Sequence, residues 1–313
     1  MRFPIALVLL AAGFLCSCGE SPTVPSSRPF AGPPPKAGGK TFFTKLDPAA
    51  TGIDYVNPVV GDHPMRRLFS SSMVVGGVAV GDMDGDEKPD LFFTNGPKKN
   101  ALYRQTGEFT WEDITEQAGV DGGDNWGVGT TMVDIDNDGD LDLYICNHDT
   151  PNELYLNEGA GGFTESAADF GLDLVEASHT PAFCDFDRDG DLDLYLLTNK
   201  YYNPKGKLPE NLNVVGTRPG RVRGAEDIFI KPEYEKYVVI KEVRPKPTGG
   251  YSVDWEEDGR PDYFFRNEGN GAFKNVTKEV GINSVGYGLS ATWWDYNEDG
   301  WTDLYVANDF DGA

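Results

Sequence analysis

Apolar residues in this chain come in short alternating runs separated by acidic or glycine-rich turns. Between residues 129 and 166 the pattern predicts four strands, at 129–133, 141–146, 153–156 and 163–166. Leu141, Leu143 and Ile145 alternate with Asp142, Tyr144 and Cys146, which marks one face of the second strand as buried. The succession recurs. Asp82 begins DMDGDEKPDLFFTNG, Asp134 begins DIDNDGDLDLYICNH, Asp185 begins DFDRDGDLDLYLLTN and Asp295 begins DYNEDGWTDLYVAND. All four read D-x-[DN]-x-D-x-x-x-D and run into an apolar strand, with a period of about fifty residues. The last interval is roughly twice as long, because the third unit carries an insertion at about 203–261. A period near fifty with four short strands per unit predicts an all-β propeller of four-stranded blades. Tyr103, Phe109, Tyr155, Phe163, Phe265 and Phe273 recur by unit and are expected to pack between blades.

Carboxylates at this density repel one another unless something binds them. Hard cations such as calcium take roughly six to eight oxygen ligands. A short loop with carboxylates at positions 1, 3, 5 and 9 can turn them inward, and the carbonyl of position 7 adds another oxygen. The expected metal ligands are Asp82, Asp84, Asp86 and Asp90 in loop 82–90, and Asp134, Asp136, Asp138 and Asp142 in loop 134–142. Loop 185–193 offers Asp185, Asp187, Asp189 and Asp193, and loop 295–303 offers Asp295, Asn297, Asp299 and Asp303. Lys88, Asp140, Asp191 and Trp301 would contribute backbone carbonyls. Gly139, Gly190 and Gly300, at position 6, suit a turn that needs positive φ. Position 12, where an EF-hand needs a bidentate Glu, holds Phe93, Ile145, Leu196 and Val306 here, so each loop instead joins two strands. Loop one departs from the pattern: Glu87 replaces the glycine and Gly85 comes two residues early, so weaker binding is expected there. A fifth match, DWEEDGRPD at Asp254, is read as a coincidence within an acidic loop.

These units resemble FG-GAP/VCBS repeats. GLSATWWDYNEDGWTDLYVANDF, PNELYLNEGAGGF and DITEQAGV are similar to segments of the bacterial relatives of cartilage acidic protein, an ASPIC/UnbV-associated family. The resemblance runs over 42–313 apart from the insertion, and no stretch of it resembles the ASPIC/UnbV domain. It implies a ring of about seven blades, of which about three and a half are supplied here, so a truncated product or fragment is expected. FFTKLDPAATGI, at 42–53, resembles the closing strand of a unit and suggests ring closure between first and last blades. A half-ring on its own would leave unpaired edges open to self-association.

The N-terminus MRFPIALVLLAAGFLCSCGE reads as a signal segment over 1–18, too short to span a membrane. Leu15-Cys16-Ser17-Cys18 resembles a lipobox, with Cys18 the residue to be lipidated, and 19–40 is a Pro/Gly/Ser-rich tether. The expected location is the bacterial cell envelope, as an outer-membrane lipoprotein, or the medium if the chain is simply secreted. Cys146 and Cys184 remain for the domain at 41–313, as buried thiols or a disulfide.

The net charge of −24 and pI near 4.4 argue against a nucleic-acid partner. The insertion is the exception: between Lys205 and Lys246 ten Lys/Arg face six Asp/Glu, with a strand pair expected around IFIKPEY and KYVVIKEV. Joining strands two and three, it should project from the end opposite the acidic loops, as a binding excursion or as packing on a neighbouring blade. His63, His148 and His179 lie in no HExxH motif, and no GxSxG, P-loop or dinucleotide fingerprint occurs. The reading is a calcium-binding, envelope-anchored module for adhesion or for binding an extracellular protein or polysaccharide. The alternative is a polysaccharide-processing enzyme, or an accessory subunit of one, on the same scaffold.

Overall fold

The computed structural model describes residues 45–58, 60–63, 65, 68, 76–159, 162–201, 214–217, 224–257, 259–269 and 271–311. The signal segment, Cys18, the tether and part of the insertion lie outside the described residues. The chain divides into two units, 1–45 and 46–313, and every element below belongs to the second. Among the described residues no helix is long and apolar enough to cross a membrane.

Four repeats of antiparallel strands make the fold. The first blade is β1 (Val78–Gly81), β2 (Asp90–Phe93), β3 (Ala101–Gly107) and β4 (Thr110–Asp113), paired in that order. The second is β5 (Gly127–Val133), β6 (Asp142–Pro151), β7 (Glu153–Asn157) and β8 (Phe163–Glu165). The third begins with β9 (Val175–Cys184) and β10 (Asp193–Thr198), is interrupted by the insertion, and resumes with β16 (Tyr263–Asn267) and β17 (Phe273–Asn275). The fourth contributes β18 (Val285–Trp294) and β19 (Asp303–Asp311). The four acidic segments all lie between a blade's first and second strands. All-β blades of this order are the propeller architecture read from the repeat.

In the second and third blades the second strand is the most deeply placed. Every residue of β10 is buried, as are the first seven of β6, whereas the outer β8 and β17 are mostly exposed. Side chains alternate across a strand, so the two faces of one strand serve two different cores. Leu143 and Ile145 of β6 pack against Ala79, Phe92 and Leu102 of the first blade. Their neighbours Tyr144 and Cys146 pack against Leu194, Leu196 and Phe265 of the third. Tyr195 and Leu197 repeat the arrangement toward Trp293, Leu304 and Val306. The one-sided burial expected from Leu141–Ile145 is thereby corrected: each central blade is sandwiched, and both faces of its second strand are covered. Tyr155, Phe163, Phe265 and Phe273 join these inter-blade cores as expected. Phe109 does not. It is 55% exposed at positive φ in the β3–β4 turn, on the side of the first blade where no neighbouring blade stands among the described residues.

Each unit closes with a strand followed by a single helical turn. The turns are α2 (Thr115–Ala118) and α3 (Ala167–Phe170), each ended by a left-handed glycine, Gly119 or Gly171. The segment DPAATGI forms the same turn, α1 (Pro48–Thr51), capped by Asp47 and ended by left-handed Gly52. The likeness to a unit's end therefore holds for its helical half, while residues 42–44 lie outside the described residues.

The insertion builds two hairpins. β11 (Val215–Thr217) pairs with β12 (Ile228–Ile230), and β13 (Val238–Pro245) pairs with β14 (Tyr251–Glu257). IFIKPEY and KYVVIKEV thus do not pair with each other, which corrects the sequence expectation. A 3-10 turn at Pro232–Tyr234 separates them, and left-handed Gly249 and Gly250 fold the second onto YSVDWEE instead. Val214 and Val238 are buried together with Ile230, Tyr234 and Trp255 as a separate small core. Asp254 to Glu257 lie within β14, so the fifth acidic match forms no loop of the repeated kind. A short strand β15 (Arg260–Pro261) then leads into β16 and pairs with β18. Cys146 and Cys184 are free thiols.

A recurring polar residue ties the second strand of a blade to the third. Asn152 accepts the buried amide N–H of Asn147 (2.9 Å) and donates to the Tyr144 hydroxyl (3.0 Å), which itself donates to the Leu172 carbonyl (3.1 Å). Asp262 accepts from the Thr198 amide (2.8 Å) and the Tyr195 hydroxyl (2.7 Å) in the same way. Asn152→Ala leaves the Asn147 amide without its partner inside the protein, at a cost of about 2 kcal/mol. A urea unfolding midpoint lowered accordingly is the expected result, and an unchanged midpoint would show the contact to be dispensable.

Candidate metal centres

The four acidic loops share one backbone. In loop two the first carboxylate, Asp134, accepts from the amides of Asp138 (3.2 Å) and Gly139 (3.1 Å). Asp82 accepts from Asp86 (3.1 Å) and Glu87 (2.8 Å), and Asp295 from Asp299 (3.1 Å) and Gly300 (2.8 Å). In loop three Asp185 accepts from Gly190 (3.2 Å). The ninth residue closes each loop: Asp90, Asp142, Asp193 and Asp303 accept from Met83, Ile135, Phe186 and Tyr296, at 2.9–3.2 Å.

Two positions in every loop are left-handed. Position 6 is so at Gly139, Gly190 and Gly300, as expected, and also at Glu87 (φ 65°). Position 4 is left-handed at Gly85, Asn137, Arg188 and Glu298. Gly85 in loop one is therefore not a misplaced glycine. It relieves the other strained position and leaves Glu87 to carry the strain that the remaining loops relieve. A non-glycine residue held there costs roughly 1–2 kcal/mol.

The carboxylates converge. Asp134, Asp136 and Asp142 each place an oxygen within 4.8 Å of the others, as do Asp185, Asp187 and Asp193. In loop one the group is Asp82, Asp84 and Asp86, without Asp90. Asp138 and Asp189 stand outside the trios and accept from the amides of Asp140 (2.9 Å) and Asp191 (3.0 Å). In loop four no carboxylate trio forms among the described residues, and Asn297 donates its amide to Asp299 (2.9 Å). Asp86 pairs with the Lys88 ammonium, a competitor that the other loops lack.

The donor set suits a hard divalent cation. Three carboxylates within reach of one point, with no soft ligand among them, fit the oxygen-ligand preference that calcium shares with magnesium and manganese. Burial pushes the Asp142 carboxyl up to about 7 and Asp193 up to about 6, because ionising them beside Asp136 or Asp187 without a counter-charge is costly. Oδ1 of Asp185 is buried with no hydrogen-bond partner, an orphaned oxygen in a carboxylate trio. A cation answers both.

Sequence reading overlooked one recurring residue, the Asn of LYLNEG and FFRNEG. Asn157 and Asn267 end β7 and β16, and their amides donate to Asp142 and Asp193 (2.8 Å each). Their recurrence at a fixed place after the aromatic was the available signal.

The end opposite the loops carries different chemistry. A cavity of about 440 Å³ is lined by His63, Lys98, Asp124, Trp126, His148, Asp149 and Thr150, among others. His63 lies against Trp126, with ring centroids 5.3 Å apart. Burial lowers His148 to about 4, so its ring is neutral at pH 7. The Thr150 hydroxyl oxygen is buried and unmatched, and Asp149 is held at positive φ. The insertion docks beside this cavity: Lys236 pairs with Asp149 and lies 4.0 Å from the Tyr201 ring centroid. Arg260 approaches the same ring and grips Glu176 through two bonds, 2.8 and 2.7 Å. Burial alone would raise the Glu176 carboxyl, but Arg260 and the Tyr263 hydroxyl hold it below its usual range. His179 bonds Thr180 (2.8 Å) on β9.

Comparison with known proteins places acidic loops of this chain within a repeat family. The FG-GAP-like repeat profile fits residues 82–145 and 134–196, so the first three acidic loops lie in FG-GAP-like repeats. Cartilage acidic protein 1 of Xenopus tropicalis is 28% identical over 189 residues, 59% of this chain and 28% of that protein. The Homo sapiens protein is 30% identical over 160 residues, 50% of this chain and 24% of that protein, and the Mus musculus protein is 27% identical over 160 residues. The chain thus spans about a quarter of the length of the curated relatives it matches.

The shared backbone predicts opposite signs for two substitutions. Glu87→Gly should stabilise the fold by up to about 1 kcal/mol, and Gly139→Ala should destabilise it by about 1–2 kcal/mol. Paired urea denaturation curves check both, and a destabilising Glu87→Gly would contradict the common loop geometry.

Proposed function

We propose that this chain is a calcium-stabilised, exported propeller module that binds an extracellular polysaccharide or protein at the end opposite its acidic loops. The observation that carries the calcium half is the repetition of one loop backbone that gathers three carboxylates, with the Asp185 oxygen left orphaned. Asp134, Asp136 and Asp142 would hold one ion and Asp185, Asp187 and Asp193 another. Asp82, Asp84 and Asp86 would hold a weaker one, because Lys88 competes for Asp86. A bound ion would supply the counter-charge that lets these clustered carboxylates, Asp142 and Asp193 buried among them, ionise together. Its role is structural.

FG-GAP-like repeats and likeness to cartilage acidic protein 1 support an extracellular ligand-binding or adhesion role. Export rests on the N-terminal apolar run, and anchoring on Cys18 as a lipidated residue. The ligand surface is supported by the cavity on blades one and two. It presents an aromatic wall, charges of both signs at Lys98 and Asp124, and an unmatched hydroxyl. Its volume falls within the roughly 300–1,000 Å³ of small-ligand sites.

Chelation is the decisive experiment for calcium. An ion at a hundred times its Kd stabilises by about 2.7 kcal/mol per site, so removing two or three should lower the melting temperature by roughly 10–20 °C. A melt unchanged by chelator would sink the reading. For the ligand half, a polysaccharide and extracellular-matrix protein panel should show binding that Lys98→Ala with Asp124→Ala weakens at unchanged melting temperature. Release of new reducing ends would overturn the binding-module reading in favour of an enzyme.

A further inference from the structure

The carboxylate loops of neighbouring blades are joined by a continuous chain of buried hydrogen bonds. Asp193, ninth in loop three, accepts the Asn267 amide N–H through Oδ1 (2.8 Å). The Asn267 side chain leaves its own blade, and Nδ2 donates to the carbonyl of Ile135 (3.4 Å), the second residue of loop two. Ile135 N–H donates to Oδ2 of Asp142 (2.9 Å), ninth in loop two. The sequence of contacts then repeats. Asp142 Oδ1 accepts the Asn157 amide (2.8 Å), Asn157 Nδ2 donates to the Met83 carbonyl of loop one (2.8 Å), and Met83 N–H donates to Asp90 (3.0 Å). Each Asn also donates to the eighth carbonyl of its own loop, at Leu141 (3.2 Å) or Leu192 (3.5 Å).

A second link runs between loops two and three. The Asn137 amide, at a left-handed position of loop two, donates to Asp191 Oδ1 (2.7 Å) and the Gly190 carbonyl (3.4 Å) of loop three. The first blade supplies the contrast. Gln105 stands where the others have Asn, its amide bonds Asp90 (2.8 Å), and its longer side chain turns back to Gly107 (3.0 Å). Among the described residues no blade precedes the first, so the reaching Asn occurs only where there is a neighbouring loop to reach.

We propose that Asn157 and Asn267 are positioning residues that make the cation loops a coupled row, so that an ion held in one loop raises the affinity of the loop on the preceding blade. The proposal rests on the calcium reading above. An ion bound by Asp193 fixes the carboxylate that orients Asn267. Asn267 then fixes Ile135, whose amide orients Asp142 for loop two. Each bond in the row is desolvated, where hydrogen bonds polarise one another most. Coupling of this kind is reciprocal, so filling loop two must tighten loop three by the same factor.

The test is a calcium titration of the whole chain followed by NMR. The Gly139 and Gly190 amides donate to Asp134 (3.1 Å) and Asp185 (3.2 Å), so each reports the filling of its own loop. Asp187→Asn removes one exposed carboxylate of loop three. It should weaken loop two as well, by about fivefold, at the low end of usual coupling between sites. With Asn267→Ala already present, the same change should move loop two less, leaving only the share carried by the Asn137 link. If Asn267→Ala does not fold, Asn137→Gly keeps the left-handed backbone while deleting the second link, and should reduce the effect. Loop two indifferent to Asp187→Asn while loop three weakens, or equally affected with and without Asn267, overturns the coupling and leaves the calcium reading standing. Amides that do not move at any calcium concentration overturn both.

Discussion

One buried carboxylate per blade organises everything around it. Asp90, Asp142 and Asp193 are almost fully buried, with one oxygen on the backbone of the acidic loop and the other on the third strand. A carboxylate in such a place is costly unless its charge is answered, and two backbone amides answer only part of it. Burial therefore holds the Asp142 and Asp193 carboxyls above their usual range. Because the same side chain closes the loop and fixes the third strand, neither can shift without the other. The carboxylate trio is therefore part of the blade's own framework.

The sandwiching of blades explains why so short a period builds so deep a core. A four-stranded sheet with one wet face could bury only alternate residues of its second strand. Here Tyr144 and Leu143 face different neighbours and both are inaccessible. Stability is thus spread over interfaces between repeats, and a blade's second strand depends on two others. Tyr305 shows the dependence by contrast. It holds the place of Tyr144 and Tyr195 in the repeat but is 57% exposed, since no third strand and no further blade cover it among the described residues.

Much of this was legible along the chain because it is local. Carboxylates spaced within nine residues, strands beginning at fixed offsets and aromatics recurring by unit need no knowledge of distant contacts. What escaped is long-range or purely conformational. The left-handed fourth position is occupied by Gly85, Asn137, Arg188 and Glu298, which share no side-chain chemistry that a motif could capture. Asn157 and Asn267 looked like ordinary turn residues, since their partners Met83 and Ile135 lie on another blade. The hairpins of the insertion were mispaired because apolar content says where strands lie, while glycines such as Gly249 and Gly250 decide which partner folds back.

The two ends of the blades answer to different constraints. At the acidic end every loop keeps one backbone, since its first and ninth residues hold its turn in place, and loops one and two are bonded to the next blade as well. At the other end the connections between second and third strands need only start and finish at the same capped positions, Asn95 with Asn100, Asn147 with Asn152 and Thr198 with Asp262. A connection pinned at both ends by one side-chain bond can lengthen at little cost, because loop-closure entropy grows slowly with length. That is how the third blade accommodates an insertion with its own core while Asp262 still meets Tyr195 as Asn152 meets Tyr144. Variation belongs at the end where the framework asks least of the chain.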